Sequence, residues 1–290
     1  MTDPVVGTAE VLTSPEVTAK ERRLGRILRE LESVVVGFSG GVDSAYLAYM
    51  ANRVLDDKAL CVTAVSPSYP AFQRKETAEF ASRFQLRHLE IFTDEVEDSR
   101  YRENSPDRCY FCKSELFSKL QALARQRGFR AVADGTNRDD RSDFRPGRRA
   151  AREFLVCSPL SDAGMNKVEI RELSRRAGLP TWNKPALPCL SSRFPYGTSI
   201  TPEKLSMVER GEEILRHFGF RVFRVRYHEA LVRLEFSPEE LPRALDVGMA
   251  ALLTKEFKAL GFKFITLDLE GYRSGALNEV LPLHPSQRAS

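Results

Sequence analysis

The residues best placed to do chemistry in this 290-residue chain are Ser39-Gly40-Gly41-Val42-Asp43-Ser44. They follow the apolar run Val34-Val35-Val36-Gly37-Phe38 and precede a helix-like stretch from Ala45-Tyr46-Leu47. Two glycines let a backbone approach an anion closely and two serines add hydroxyl donors. The unpaired N–H groups that open a helix point their positive ends at phosphate. The expectation is an ATP site that grips pyrophosphate through Ser39, Gly40, Gly41, Val42 and Ser44. Asp43 would repel a bare triphosphate, so its use is to hold Mg²⁺ against the phosphate oxygens. The spacing is neither that of a Walker loop nor that of a dinucleotide fingerprint, which argues against γ-phosphoryl transfer and hydride chemistry. A strand-to-helix turn with serine caps and no ligand is the plain alternative.

Five cysteines, Cys61, Cys109, Cys112, Cys157 and Cys189, are an odd number, so metal or sulfur chemistry outranks disulfides. Cys109-Tyr110-Phe111-Cys112 sits before a helical stretch, and Cys189 lies in an irregular segment further on. A C-x-x-C pair has the bite for Zn²⁺, a redox disulfide or an iron–sulfur cluster and does not choose among them. The four histidines, His88, His217, His228 and His284, offer no nearby pair to complete a tetrahedral zinc site. Three thiolates without an obvious fourth fit a 4Fe–4S cluster with one iron left open. The bland reading is a structural thiol pair with an unrelated Cys189, and Cys61 and Cys157 read as buried packing residues. Arg193 follows Ser191-Ser192, while Arg224 and Arg226 alternate along a strand and share one face. Guanidinium groups fork onto phosphate oxygens, and Glu235 on the partner strand would orient them or balance their charge. A solvated strand face with a salt bridge is the competing reading.

The elements that must position these groups alternate in type. Strand-like runs at 34–38, 60–65, 87–92 and 130–134 are separated by helical stretches near 44–54, 71–84 and 112–127. That alternation predicts an α/β fold with a doubly wound parallel sheet. Ligands then gather at the carboxyl ends of the strands, where the hexapeptide, Ser66-Pro67-Ser68 and Asp134-Gly135-Thr136-Asn137 lie. Ser66, Gly135, Thr136 and Asn137 are therefore further candidate nucleotide contacts. A helix near 167–177 ends at Gly178 with Pro180 after it. Beyond the irregular segment, a helix opens at Thr201-Pro202 and 221–227 and 230–236 alternate like a hairpin. Ser237-Pro238-Glu239-Glu240 reads as a capping box, and 262–268 reads as another strand. The resulting division is a loose arm over 1–17, a nucleotide domain over 18–182, a cysteine-bearing connection over 183–201, a smaller α/β domain over 202–278 and a tail over 279–290.

Composition sets outer limits. Hydrophobic residues at 42% and charged residues at 29% describe an ordinary globular protein able to bury a core. No run approaches the roughly 20 apolar residues that span a bilayer, and the first residues lack the order of a secretory signal, so the expectation is a cytoplasmic protein without a membrane partner. A net charge of +4 suits a phosphorylated small molecule at least as well as RNA, whose footprint would be a one-sided basic face. The densest basic stretch, Arg138, Arg141, Arg145, Arg148, Arg149 and Arg152, is interleaved with Asp139, Asp140 and Asp143 and reads mostly as a solvated loop.

The hexapeptide resembles the PP-loop of the N-type ATP pyrophosphatases, which adenylate a substrate oxygen and release pyrophosphate. Joined with Cys109-Tyr110-Phe111-Cys112-Lys113, Asp134-Gly135-Thr136-Asn137, Asn183-Lys184-Pro185, Cys189-Leu190-Ser191-Ser192-Arg193-Phe194-Pro195-Tyr196-Gly197 and Arg224-Val225-Arg226, it resembles the LarE family of ATP-dependent sulfur transferases in nickel-pincer cofactor synthesis. The resemblance runs from about residue 18 to 278. It implies adenylation of a carboxylate on a pyridinium mononucleotide like nicotinic acid mononucleotide, then sulfur delivery to give a thiocarboxylate. Members look to come in two forms, one sacrificing a cysteine sulfur and one holding a 4Fe–4S cluster with a detachable sulfide. With Cys109 and Cys112 as well as Cys189, this chain resembles the cluster form. The same resemblance implies that Lys113 lies beside the reacting carboxylate, that Ser192, Arg193, Arg224, Arg226 and Glu235 serve the substrate phosphate, that a sulfide donor is needed, and that the protein is a homo-oligomer such as a hexamer. A PP-loop tRNA thiolase, an ammonia-using NAD or GMP synthetase, and a non-enzymatic adenine-nucleotide sensor with a structural metal are the rivals. The synthetases leave three cysteines unexplained, and nucleic acid is disfavoured by the modest charge.

Overall fold

The computed structural model describes residues 14–142, 146–273, 276 and 279. Most of the expected N-terminal arm, the C-terminal tail, Asp143 and Arg145 lie outside these residues. The chain divides into two compact units. One comprises the described residues up to Ala64, Lys75–Ile91 and Leu116–Lys184, and the other comprises Val65–Arg74, Phe92–Glu115 and the described residues from Pro185 onward. Residues 65–74 and 92–115 thus group with the C-terminal part of the chain, a partition that linear segments do not convey.

In the first unit, α1 (Pro15–Leu31) starts where Ser14 caps the Val17 N–H at 3.3 Å and proline occupies the first helical position. It buries Leu24 and Leu28. The β-branched run of β1 (Val34–Gly37) pairs in parallel with β2 (Ala59–Val65) on one side and with β4 (Ala131–Ala133) on the other. With β3 (His88–Phe92) the sheet order is β3-β2-β1-β4. Along the chain between these strands come α2 (Val42–Leu55), α3 (Ala71–Arg83), the short α4 (Ser99–Arg102) and α5 (Arg108–Arg127), of which α4 and the first residues of α3 and α5 belong to the second unit. After β4 come α6 (Pro146–Glu153), α7 (Pro159–Asp162) and α8 (Lys167–Arg176), and an isolated bridge pairs Ala133 with Cys157. Chain order reverses at β1, so the segments leaving β1 and β4 emerge side by side, which is the switch point of a doubly wound sheet.

The second unit holds α9 (Pro202–His217), the hairpin β5 (Phe223–His228) and β6 (Leu231–Phe236), α10 (Leu241–Ala244), α11 (Val247–Ala259) and β7 (Phe264–Leu267). β5 and β6 are antiparallel, while β7 adds to β6 in parallel. Val225, Leu234, Phe236, Leu215 and Phe257 form its core. Gly211 lets α9 lie close, because a Cβ there would stand 2.9 Å from Phe257 and 3.2 Å from Val225. The expected capping box at Ser237 is not one. Glu240 instead accepts the Arg221 and Val222 N–H groups at 2.8 and 2.9 Å, so its carboxylate is spent on the strand entry and α10 has no side-chain cap. Among the described residues no helix is long and apolar enough to cross a membrane.

Candidate functional site

The turn after β1 is held by its own side chains. Gly40 has φ 71, a left-handed conformation that costs glycine little, and Gly41 is the N-cap of α2 with no side-chain capping bond. The Ser39 and Ser44 hydroxyls lie 3.1 Å apart, Ser44 Oγ donates to the Gly41 carbonyl at 3.2 Å, and the Ser39 N–H donates to Ser44 Oγ at 3.3 Å. The serines expected to face phosphate therefore also brace the turn. Lys184 Nζ donates to the Gly40 carbonyl at 3.1 Å and to Glu76 at 2.7 Å, drawing positive charge to the same turn.

The turn after β4 packs directly on it. A Cβ on Gly135 would stand 2.8 Å from the Ser44 nitrogen and 3.3 Å from the Asp43 carbonyl carbon, so only glycine lets the two backbones touch. Asp134 shapes this second turn by accepting from the Thr136 N–H at 3.1 Å, the Thr136 hydroxyl at 2.8 Å and the Ser158 hydroxyl at 2.9 Å. Asn137 is buried, and its Oδ1 accepts the Asp139 N–H at 2.8 Å. Asp43, in the first turn of α2, ion-pairs through Oδ2 with Lys167 of α8, while its Oδ1 is buried with no hydrogen-bond partner. Burial pushes the Asp43 carboxyl up, and Lys167 opposes that shift. A buried carboxylate oxygen with no hydrogen-bond partner beside a glycine-rich, helix-opening turn suits a hard cation with oxygen ligands, and Mg²⁺ fits it.

Cys109, Cys112 and Cys189 lie in the second unit. Cys109 and Cys112 do not precede a helix. They occupy its first turns, because α5 begins at Arg108, and their i,i+3 spacing gives them one face. Cys189 caps a 3₁₀ turn over Leu190–Arg193, and the Leu190 N–H donates to the Ser68 carbonyl at 3.0 Å. Burial first, then the Glu95 carboxylate and the Cys189 sulfur, hold the Cys112 thiol well above the ordinary range, while Lys113, next on α5, pulls the other way. Burial draws the Arg108 guanidinium down, and Cys189 and Cys109 more than offset it. The phenol of Tyr101 is raised by burial, then by Cys189 and Cys112. Cys109, Cys112 and Cys189 thus share one neighbourhood. Among the described residues, however, no three His, Cys, Asp or Glu side chains are gathered closely enough to hold a metal ion. The chemistry of the donor set, three thiols with no imidazole, fits an iron–sulfur cluster. Cys61 is buried in the core with its thiol pushed up to about 12, as a packing residue should be, whereas Cys157 is half-buried.

Ser66 is committed to Glu95 rather than open. Its hydroxyl donates to that buried carboxylate at 2.5 Å, and Ser68 does so at 2.8 Å. Around Cys189 the chain is strapped down. Tyr101 and Ser191 hydroxyls meet at 2.5 Å, Arg108 donates to the Ser191 carbonyl at 2.8 Å, and Asn104 donates to the Pro195 carbonyl at 2.7 Å.

Three arginines surround the same segment. Arg193, 1% exposed, forks onto Glu212 at 2.7 and 3.2 Å and donates to the Pro188 and Cys189 carbonyls at 2.8 and 3.2 Å. Arg226 forks onto Glu235 at 2.9 and 2.8 Å and reaches the Ser192 carbonyl at 2.9 Å. Register places Glu235 opposite Arg224, yet the carboxylate serves Arg226 diagonally. Arg224 donates to the Phe223 and Ala186 carbonyls at 2.6 and 2.9 Å and to the Tyr272 hydroxyl at 3.1 Å, and it pairs with no carboxylate among the described residues. Burial lowers its guanidinium to about 10, and Arg193 adds to the effect. Lys167, Lys184, Glu95, Arg108 and Glu212 were not singled out from sequence as site residues. Lys184 lies within Asn183-Lys184-Pro185, but no local signal marks the other four.

A sequence profile of NAD synthase matches residues 24–129. An uncharacterized protein of Synechocystis is 43% identical over 263 residues, covering 91% of this chain and 98% of the relative. The pyridinium-3,5-bisthiocarboxylic acid mononucleotide synthase of Lactiplantibacillus plantarum is 34% identical over 266 residues, 91% of this chain and 96% of the relative. An uncharacterized protein of Methanocaldococcus jannaschii is 30% identical over 243 residues, 84% and 92%.

Proposed function

This chain belongs to the LarE family of PP-loop proteins, and on that premise we propose that it is an ATP-dependent sulfurtransferase. It adenylates a carboxylate on a pyridinium mononucleotide, releases pyrophosphate, and inserts sulfur to give the thiocarboxylate of nickel-pincer cofactor synthesis. The supporting observation is the pair of touching turns after β1 and β4, with the orphaned Asp43 oxygen at their edge.

The chemistry follows from the residues. A carboxylate is a poor electrophile, and joining its oxygen to the α-phosphorus of ATP gives it AMP as a leaving group while pyrophosphate departs. The Gly40-Gly41 turn and the first N–H groups of α2 stabilise the charge that develops on pyrophosphate. Asp43 would hold Mg²⁺, which when bound would supply charge neutralisation at the phosphate oxygens. A sulfur nucleophile then attacks the acyl carbon and AMP leaves. Cys109, Cys112 and Cys189 would hold a 4Fe–4S cluster, which when bound would supply exchangeable sulfide replenished by an external donor. Arg193 fixes the carbonyls flanking Cys189. Arg224, without an acid partner, takes the mononucleotide phosphate, with Arg226 and Ser192 held behind it by Glu235. Lys113 is assigned to the reacting carboxylate, and the active protein to a homo-oligomer.

Incubation with ATP, Mg²⁺ and nicotinic acid mononucleotide, or its further carboxylated relative, should release pyrophosphate in step with substrate. Asp43→Asn should lower that rate by about 10²-fold. No pyrophosphate from the wild type would leave only a nucleotide-binding protein, and pyrophosphate formed with tRNA instead would favour the thiolase.

A further inference from the structure

The Asp43–Lys167 pair spans 124 residues of chain and joins α2 to the first residue of α8. Lys167 is delivered there by local structure. Asn166 caps α8 in a reciprocal capping box with Glu169, and the Lys167 N–H donates to Asp139 Oδ2 at 2.9 Å. Its ammonium engages one Asp43 oxygen and leaves the other buried and unpartnered. Asp140 bears on Asp43 as a second negative charge, and Asn137 also faces it. Lys167 is therefore the cation that this acid-rich corner presents to Asp43. Its side chain is 40% exposed against 18% for Asp43, so the flexible partner can swing away while the carboxylate stays.

We propose that Lys167 is a positioning residue of the magnesium–nucleotide site, a built-in cation that holds the Asp43 carboxylate until the metal replaces it. The inference rests on the ATP reading above. An ammonium on a long stem neutralises one charge at a single oxygen. A divalent ion with polyphosphate beside it would bring more charge and more ligands than the ammonium does. Metal alone has to compete with Lys167, whereas nucleotide phosphates give the freed ammonium a new partner. Lys167 thereby makes metal entry depend on nucleotide entry.

The experiment measures Mn²⁺ affinity of the full-length protein by electron paramagnetic resonance, with and without the α,β-methylene analogue of ATP. Lys167→Met and Lys167→Gln should each bind Mn²⁺ alone about fivefold tighter than wild type, the factor an ion pair at the upper end of the exposed range produces. The enhancement of metal binding by the analogue should shrink by the same factor. Lys167→Arg should behave as wild type. A merely structural salt bridge would lower the melting temperature of K167M and K167Q without tightening metal, and unchanged or weaker Mn²⁺ binding in whichever of them folds overturns the proposal. Failure of the wild type to bind the analogue at all overturns the nucleotide reading itself. Analogue binding with unaltered metal-alone affinity in the variants overturns the Lys167 proposal and leaves that reading intact.

Discussion

Gly135 shows how much a single side-chain position decides. A methyl group there would meet the Ser44 backbone nitrogen at 2.8 Å, and backbone on both sides has little room to yield. Gly135→Ala should cost about 1–3 kcal/mol of stability and displace the phosphate turn. The measurement is thermal unfolding alongside pyrophosphate release, and full activity at wild-type melting temperature would disprove the contact. The arginines carry a different lesson. Their alternation along β5 could be read from sequence, but Arg193 and Arg226 are already forked onto Glu212 and Glu235, and Arg224 is the one left with carbonyls and a phenol. Residue type marks all three as able to meet phosphate, but it cannot say which guanidinium is left without a carboxylate among the described residues.

At the scale of elements, β3 is tied to the site through His88, whose Nε2 lies 2.8 Å from the Thr63 hydroxyl on β2. That hydroxyl donates at 2.7 Å to the carbonyl of Phe38, the residue just before the phosphate turn. Burial lowers the His88 pKa below its ordinary 6.5. Between the lowered and the ordinary value the unfolded chain binds more protons than the folded one, so stability rises with pH across that window and is lost as pH falls below about 6.5. His228, also lowered by burial, acts in the same direction. Replacing His88 by Asn should flatten the dependence of melting temperature on pH between about 7 and 5. An equally steep profile in the variant would remove His88 as a source of the slope.

At the scale of the whole molecule, the three cysteines come from two stretches about eighty residues apart in sequence, yet belong to one unit with Glu95, Tyr101 and Arg108. Anaerobic purification with iron and acid-labile sulfide analysis should show iron in the wild type and its loss in Cys109→Ala, Cys112→Ala and Cys189→Ala. Full iron content in C189A would take that residue out of the ligand set. What the amino-acid sequence determined by itself was local. Glycine at a left-handed turn, apolar periods of strand and helix, and a thiol pair three residues apart depend on near neighbours, and these mark the glycine-rich turn after β1, the β1/β4 switch point and the C-x-x-C. The folded chain alone reveals that Lys167 meets Asp43, that Gly135 closes on Ser44, that Glu95 is buried beside Cys112, and that of Arg193, Arg224 and Arg226 it is Arg224 that has no acid partner among the described residues. Those pairings are set by where the folded chain returns, through burial and packing between segments remote in sequence, and no local pattern encodes them.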